Sequence, residues 1–451
     1  MRAGHQVPAQ PRELAPPPRE VLPSTTMPPP RIVVDGATQL SLDQVINAVL
    51  VSDPKLRFAF EAINQANADA LTASLVPNPS LYTDIQLLPL TRPFTPTDQG
   101  GPPQYDLQIT QPIDWFLFGK RAAHMAVAAL GVRVSESDFA DQLRLRIAEA
   151  SLAYYDVLEA RALLDLAGQD VATFQQIRDA VAKVVPFGKT RVELNRVELN
   201  LLTALQAQRN AETAVVAAKA RLRAIIGRND ADPDFDLKGS LDEVLTATLP
   251  PPEEGFDLAV RNRPDIESDR RKIAQATANM TAQRNAAYPT VSPMFGYTRQ
   301  FQRKAIGFPD ADSWTAALTV GLPFYDRNQG NRLKAYSALA QSQFGLASDL
   351  ARLRGEVETA SQEFRAAKAN ADSIGAEQLK LATDVRDSVR KAYEAGGQTL
   401  LDFLSAQQTF RDTRRAYIIS RAAYWRAVYR YRAAIGQQSI GEPPRPGVPP
   451  P

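Results

Sequence analysis

The chain has 451 residues, of which 44% are hydrophobic and 23% are charged, and its formal net charge is +2. This near-neutral balance is typical of an ordered protein and excludes a strong electrostatic attraction to nucleic acid or to a charged membrane surface. The sequence contains no cysteine, which excludes disulfides, thiolate metal sites and cysteine nucleophiles. Its two histidines, His5 and His124, are interpreted as a tail residue and a helix-face residue, so we expect no resident metal and no cofactor.

Proline-rich tails enclose the rest of the sequence. Residues 1–40 and 437–451 contain many prolines and little that could pack, which predicts extended tails. The first residues lack the apolar segment of a signal peptide. No run of about 18 apolar residues occurs, so no transmembrane helix is predicted.

Between the tails the sequence repeats itself. Five markers recur in the same order with an offset of about 210 residues, which predicts two copies of one unit, residues 41–227 and 256–436, joined by a connector, residues 228–255. The marker pairs are Pro54 and Pro264, Pro79 and Pro289, Gly119 and Gly330, Gly188 and Gly397, and Gly227 and Gly436.

Each copy predicts the same four parts in chain order. A helical stretch of about 30 residues comes first, and in the first copy Ser41 with Gln44 forms a capping-box pattern, while Asp53 and Pro54 mark a second helix start. A pair of strands follows, residues 80–88 and 104–114 in the first copy and 290–302 and 312–322 in the second. A very long helix comes next, residues 120–185 and 331–394. A last helix covers residues 190–227 and 399–436.

The last helix carries an apolar or aromatic residue every seventh position. The residues are Phe403, Phe410, Tyr417, Tyr424 and Tyr431. A strict seven-residue repeat favours a left-handed coiled-coil seam, with an ordinary buried stripe as the alternative. The preceding helix would be roughly 100 Å long at about 1.5 Å per residue, which favours a rod or a tube wall over a compact domain.

The strands have one apolar and one polar face. Residues on the apolar face of the second and fourth strands are predicted to face lipid: Tyr105, Leu107, Ile109, Trp314, Leu318, Val320 and Leu322. Alternation alone equally permits a small soluble sheet that packs on the helices. Strands of about ten residues with aromatic ends favour a membrane barrel. Four strands cannot close a barrel, so several chains would have to pool their strands, eight from two copies or twelve from three.

Each strand pair ends at a similar corner before a long helix. Pro112 and Pro323 are predicted to end the strands, and Gly119 and Gly330 to permit the bend into the helix. The helix then runs away from the membrane and reverses at PFGKT or EAGGQT, so the two hairpin tips are expected at the far end of the molecule.

Five short motifs together resemble the outer-membrane factor family, the TolC-like exit ducts of tripartite efflux and secretion systems. They are VPNPSL, RPDI, AAYPTVSP, GLPFYDRNQGN and AGGQTLLDFLSAQ, and the resemblance covers about residues 40–436. LPFYDRNQGN is similar to the heavy-metal cation (Czc-type) branch of that family.

The resemblance implies a mainly α-helical homotrimer in the outer membrane of a Gram-negative-type cell. A transmembrane β-barrel with four strands per chain would join a long α-helical barrel that extends into the periplasm. It implies a passive exit duct for heavy-metal cations that contacts outer-membrane lipid and works with a periplasmic adaptor and an RND-type inner-membrane pump. Drug efflux and type I secretion are the alternatives within the family.

Two further classes of function were weighed. A soluble coiled-coil scaffold is the alternative from a different class. An enzyme has no supporting motif, since GxxxxGK[ST], GxSxG and HExxH are all missing from the sequence.

The resemblance also implies a closed periplasmic end with an acidic constriction. Asp402 falls where some members carry a ring of aspartates, Ser405 replaces a second acidic residue, and Glu193 is the match of Asp402 in the first copy. Ordinary solvated helix charges are the alternative interpretation. The hairpin tips are expected to dock the adaptor, through Phe187, Gly188, Lys189, Thr190, Ala395, Gly396, Gly397, Gln398 and Thr399.

Overall fold

The computed structural model describes residues 39–98, 100–184, 191–227, 234–243, 245 and 247–437. This part of the chain is mostly helical, with one two-stranded and one four-stranded sheet. The first copy contains β1 (Gln39–Leu40), α1 (Leu42–Ser52), α2 (Pro54–Ser74), β2 (Ser80–Gln86), β3 (Gln104–Thr110), α3 (Asp114–Leu117), α4 (Lys120–Val184) and α5 (Arg191–Ile225).

The second copy repeats this order after a short connector strand. It contains β4 (Asp236–Leu237), α6 (Pro252–Asn262), α7 (Pro264–Ala286), β5 (Thr290–Gln300), α8 (Gln302–Ile306), β6 (Ala311–Gly321), α9 (Gln329–Ser373), α10 (Leu379–Glu394) and α11 (Leu400–Ala434). The predicted strands and long helices are confirmed to within a few residues at each end.

The predicted helix starts are confirmed in atomic detail. The Ser41 amide donates to Gln44 Oε1 at 2.8 Å, and the Gln44 amide donates to Ser41 Oγ at 3.3 Å, so both halves of the capping box form. Asp53 caps α2 by accepting a hydrogen bond from the Lys55 amide at 2.9 Å, and Pro54 occupies the first turn.

The two long helices differ in continuity. α4 runs unbroken for 65 residues, which corresponds to roughly 100 Å. The expectation of an equally continuous helix over 331–394 is wrong, because a π-helical turn over Ile374–Gln378 separates α9 from α10. The turn lies where Tyr417 packs against Gly375, since a Cβ on Gly375 would lie 3.1 Å from the Tyr417 ring. Such single π turns bend or loosen a helix locally.

The apolar core is spread along the rod in three clusters. One joins α1, α4, α5 and the connector around Tyr154, and a second joins α6, α7, α9 and α11 around Tyr424. The third lies at the far end, where Val197 and Leu201 of α5 share a cluster with Leu400 and Phe403 of α11.

The seven-residue stripe of α11 binds the connector as well as neighbouring helices. Phe403 stacks on Tyr393 of α10, as a helix-to-helix seam predicts. The tyrosines nearer the carboxyl end of α11 instead hold connector groups. Tyr417 donates to Asp242 at 2.8 Å, Tyr424 accepts from the Ala247 amide at 3.1 Å, and Tyr431 donates to the Pro250 carbonyl at 2.7 Å.

The two copies share one buried ion pair with its charges reversed. In the first copy Asp53, at the start of α2, pairs with Arg146 of α4 at 2.5 Å. At the equivalent positions of the second copy, Arg263 precedes α7 and pairs with Glu356 of α9 at 2.7 Å. Asp53, Arg146 and Arg263 are all buried. A pair at this position therefore joins the same two helices in each copy, whichever end carries the positive charge.

We predict that reversing the first pair will be tolerated better than changing either residue alone. Asp53→Arg or Arg146→Glu leaves two like charges together in a buried site and should cost about 3 kcal/mol or more. The double variant restores opposite charges in the arrangement that the second copy already uses. Thermal unfolding of the purified protein checks this, and a double variant that loses the sum of both single losses would contradict it.

Candidate channel-forming surfaces

The four-stranded sheet draws two strands from each copy. Its order is β2-β3-β5-β6, all antiparallel, so β3 of the first copy pairs directly with β5 of the second. β2 and β6 are the two edge strands. In a single chain, each edge therefore carries backbone N–H and C=O groups that no strand of the same sheet pairs.

The register brings the predicted lipid-facing residues together on one face. Leu107 lies opposite Tyr297, which in turn lies opposite Trp314. Trp314 is 71% exposed and Leu318 is 60% exposed, so this apolar face does not pack on the helices within the chain. The same face and the turn after it also expose Leu81, Ile85, Ile109, Phe295, Val320 and Leu322.

The opposite face is lined by carboxylates, amides and small residues. Asp84 lies directly opposite Asp106 in the pairing of β2 with β3. Gln104 donates to Asp106 at 3.3 Å, and Gln86 donates to Asp84 at 2.7 Å and to Asp106 at 3.2 Å. Thr298 donates to the other oxygen of Asp106. Sequence analysis placed Asp84 on the polar face and missed its pairing with Asp106, because register between distant strands is not a local signal.

The first corner bends at the residue that the sequence predicts. Gly119 has a φ of 60°, a left-handed conformation that glycine adopts without steric cost. Lys120 then anchors α4 to the corner, since its ammonium lies 2.7 Å from Asp114 and donates to the Tyr288 carbonyl at 2.9 Å. Phe118 stacks on Tyr288, with ring centroids 5.1 Å apart.

The second corner bends at a different residue from the one predicted. Asn328 has a φ of 58°, whereas Gly330 already lies in the first turn of α9, so the expectation that Gly330 supplies the bend is wrong. Asparagine tolerates the left-handed region because its short amide forms local hydrogen bonds. Here the Asn328 side chain donates to the Gln283 carbonyl at 2.8 Å, which ties the corner to α7.

The corner prolines limit the strands less than expected. Pro112 follows the last residue of β3, and the pairing with β2 ends there. Backbone bonds to β5 nevertheless continue, from Gln111 to the Pro293 carbonyl and from Ile113 to the Val291 carbonyl at 2.9 Å. Proline removes only the donor that would point towards β2. Pro323 follows Gly321, where β6 ends.

The second hairpin tip is built from a glycine cap and a capping box. Gly396 has a φ of 81°, its amide donates to the Tyr393 carbonyl at 3.0 Å, and the Gly397 amide donates to the Ala392 carbonyl at 2.8 Å. These two bonds form a Schellman motif at the end of α10, in which Ala395 is the cap. Gln398 then leads to Thr399, which caps α11. The first tip, Phe187, Gly188, Lys189 and Thr190, lies outside the described residues.

The three candidate constriction residues lie at this same end of the rod. Asp402 and Ser405 are exposed, three residues apart on α11, and Glu193 is half-buried in the first turn of α5. Asp402 also completes the capping box, because it accepts hydrogen bonds from the Thr399 hydroxyl at 2.5 Å and from the Thr399 amide at 3.1 Å. These bonds lower the pKa of the Asp402 carboxyl and keep it ionised at neutral pH.

We predict that Gly396→Ala will loosen this tip by about 1 kcal/mol, because alanine is strained at a positive φ. A methyl group at Gly396 would meet no atom, so the effect isolates backbone strain. Gly397→Ala is the matched control, since Gly397 has no positive φ and its added methyl would lie at an ordinary 3.5 Å from the Ala392 carbonyl. Hydrogen exchange at the amides of residues 395–399 measures both, and equal protection in the two variants would contradict the prediction.

These surfaces define a class of protein: an elongated helical subunit whose edge-open sheet has one exposed apolar face and one polar face. The sequence matches the family model described as "Outer membrane efflux protein" twice, over residues 45–228 and 256–437. The chain belongs to that family. It is therefore an outer-membrane protein of an efflux-channel family rather than of an enzyme family, with its helical part in the periplasm.

Curated relatives match over most of their length. The chain is 25% identical over 396 residues to the cobalt-zinc-cadmium resistance protein CzcC of Cupriavidus metallidurans, covering 85% of this chain and 87% of that protein. It is 26% identical over 435 residues to Protein CyaE of Bordetella pertussis, covering 93% and 89%. The similarity to a Czc-type protein that the motif LPFYDRNQGN indicated is thus confirmed.

Solved structures share the fold. CusC matches with a TM-score of 0.71 at 18% identity, covering 89% of this chain and 93% of that chain. The outer membrane channel CmeC of Campylobacter jejuni matches with a TM-score of 0.72 at 16% identity, covering 88% and 85%. In the described part of the chain, no helix combines the length and the apolar character needed to cross a membrane.

Proposed function

We propose that three copies of this chain form a passive exit duct through the outer membrane. Each chain contributes four strands to a twelve-stranded barrel, and α4, α5, α9, α10 and α11 to a tunnel of roughly 100 Å. The observation that carries the proposal is the four-stranded sheet with two unpaired edges and an exposed apolar face. Unpaired edges are not tolerated in lipid, so neighbouring chains must complete the ladder.

In this arrangement the two faces of the sheet have separate roles. Tyr105, Leu107, Trp314 and their neighbours contact lipid, while Asp84, Asp106 and the surrounding glutamines line the pore. Fixed carboxylates in a pore raise the local concentration of cations. At the other end, Asp402 with Glu193 supplies a second acidic ring.

We infer that heavy-metal cations are the substrate class. Support comes from the acidic residues of the polar face, from the GLPFYDRNQGN segment and from the similarity to CzcC, whose name refers to resistance to cobalt, zinc and cadmium. Export of organic compounds is the second candidate, supported by the 22% identity to the toluene efflux pump outer membrane protein TtgF of Pseudomonas putida. Metal tolerance of a deletion strain, with and without the restored chain, distinguishes these substrates.

The hairpin ends are proposed to dock a periplasmic adaptor, which connects the duct to an RND-type inner-membrane pump. Gly396, Gly397 and the residues 187–190 lie on the two tips. A duct of this kind contains no energy-converting site of its own, so the pump supplies the energy and selects the substrate.

We predict that β2 of one chain pairs with β6 of the next. Because the sequence has no cysteine, engineered pairs can be read without background. Cysteine at Ala316 of β6, combined in turn with cysteine at Leu81, Thr83 or Ile85 of β2, should give disulfide-linked dimers and trimers on a non-reducing gel. The residues share one face of the sheet, so one of the three registers brings the thiols together.

The control for this experiment replaces the edge position on β6 with an inner one. Cysteine at Phe295 of β5, which is flanked by β3 and β6, should give no linked species with the same β2 positions. Linkage at Phe295, or monomer alone for every edge pair, would contradict edge-to-edge assembly.

We predict that Asp402→Asn will lower the preference of the pore for cations over anions, because it removes one charge from each chain of the proposed constriction. Thr399→Ala is the matched control, since it breaks the same capping box and keeps the carboxylate. Reversal potentials in planar bilayers under a salt gradient measure the preference. If the two variants behave alike, Asp402 acts only as a helix cap.

A further inference from the structure

A cavity of about 380 Å³ lies between α4 and the α10–α11 pair, close to the hairpin tips. α4 contributes Asp170 and Thr173, α10 contributes Arg390, and α11 contributes Phe403 and Gln407. It borders the far-end apolar cluster, where the two helix pairs of the chain meet. Packing is therefore incomplete at the place where α10 and α11 are held against the rest of the rod.

Asp170 is the unusual member of this cavity. It is only 6% exposed, yet within the described residues it forms no hydrogen bond and no ion pair. A buried carboxylate without such partners is costly when it is ionised, because it loses hydration and gains nothing in exchange. Nothing in the family surfaces described above uses this residue.

The charged groups around Asp170 come from both opposing helices. α10 presents Arg386, Arg390 and Glu394 to the cavity. Arg386 lies 3.9 Å from the centre of the Phe410 ring and pairs with Asp387, so its charge is already engaged. α11 contributes Arg411 and Asp412, which act on Asp170 in opposite directions. The set is close to neutral, and burial is left as the dominant influence.

The π-helical turn between α9 and α10 provides a place for movement. It covers Ile374–Gln378, and the cavity residues of α10 begin two turns later. A π turn is a local weakness in a helix, and such turns occur often at functional sites. α4, on the other side of the cavity, is continuous throughout this region.

We propose that Asp170 makes the contact between α4 and the α10–α11 pair sensitive to pH, with the π turn as its hinge. Protonated, Asp170 remains in the cavity and the helix pairs stay packed. Ionised, it favours an arrangement in which α10 and α11 separate from α4 and water reaches the carboxylate. The inference concerns contacts within one chain and holds whatever substrate the duct carries.

Electrostatics sets the direction and the pH range. Burial raises the pKa of the Asp170 carboxyl from 3.8 to about 6, with Arg411 lowering it and Asp412 raising it. The packed arrangement thus binds the proton more tightly than the hydrated one, so packing is favoured at low pH and lost as the pH rises through about 6. With these two values, the ratio of separated to packed forms rises about tenfold between pH 5 and pH 7.5.

Spin-label distances in the full-length assembled protein test the proposal. Cysteines replace the exposed Gln175 of α4 and Gln408 of α11, and pulsed electron paramagnetic resonance reads the distance between nitroxide labels at pH 5 and pH 7.5. We expect a longer-distance population that grows with pH with a midpoint near 6. Asp170→Asn should hold the short distance at both pH values, and Asp170→Leu should do the same if Asn disturbs assembly.

Asp165→Asn is the matched control, because Asp165 is an exposed carboxylate on the same helix. It should leave the pH response intact. The proposal is overturned if the distances do not change between the two pH values, if Asp170→Asn keeps the wild-type response, or if Asp165→Asn abolishes it. None of these outcomes depends on metal transport, so they are separate from a failure of the proposed function.

Discussion

The unpaired edges of the four-stranded sheet are the constraint on which the rest of the architecture depends. Within one chain, β2 and β6 each have one side without a partner strand, and the face that Trp314 and Leu318 share is open. A soluble sheet of this kind would cover its apolar face with its own helices, but here the helices start at the corners and lead away. Lipid for the face and neighbouring strands for the edges satisfy both needs together.

Local sequence signals predicted the elements well, because the physics behind them is local. The capping box at Ser41, the proline after Asp53 and the alternation around Leu107 each act over a few residues, and each appears in the structure. Asn328 was missed because a glycine two residues later offered the commoner solution to the same bend. Asp170 and the Asp84–Asp106 pairing were missed because burial and register arise from contacts between distant segments.

The internal repeat explains why two distant segments meet in one sheet. Equivalent strand pairs from the two copies meet as β3 and β5, and equivalent long helices follow each pair. The buried ion pair shows which feature of the repeat the fold requires. Asp53 with Arg146 and Arg263 with Glu356 have opposite polarity at equivalent positions. A buried charge needs a partner, and either order of signs provides one.

The copies differ most where movement would matter. α4 is continuous, whereas its counterpart is divided by the π turn beside Tyr417. On the hub side of that turn, Tyr424 and Tyr431 are buried and bind the connector. On the tip side, the contacts between α10 and α4 surround a cavity with an unpaired carboxylate. Stability therefore falls along the second copy towards the tip, and the far end of α10 and α11 is the part of the subunit that can change its packing at the lowest free-energy cost.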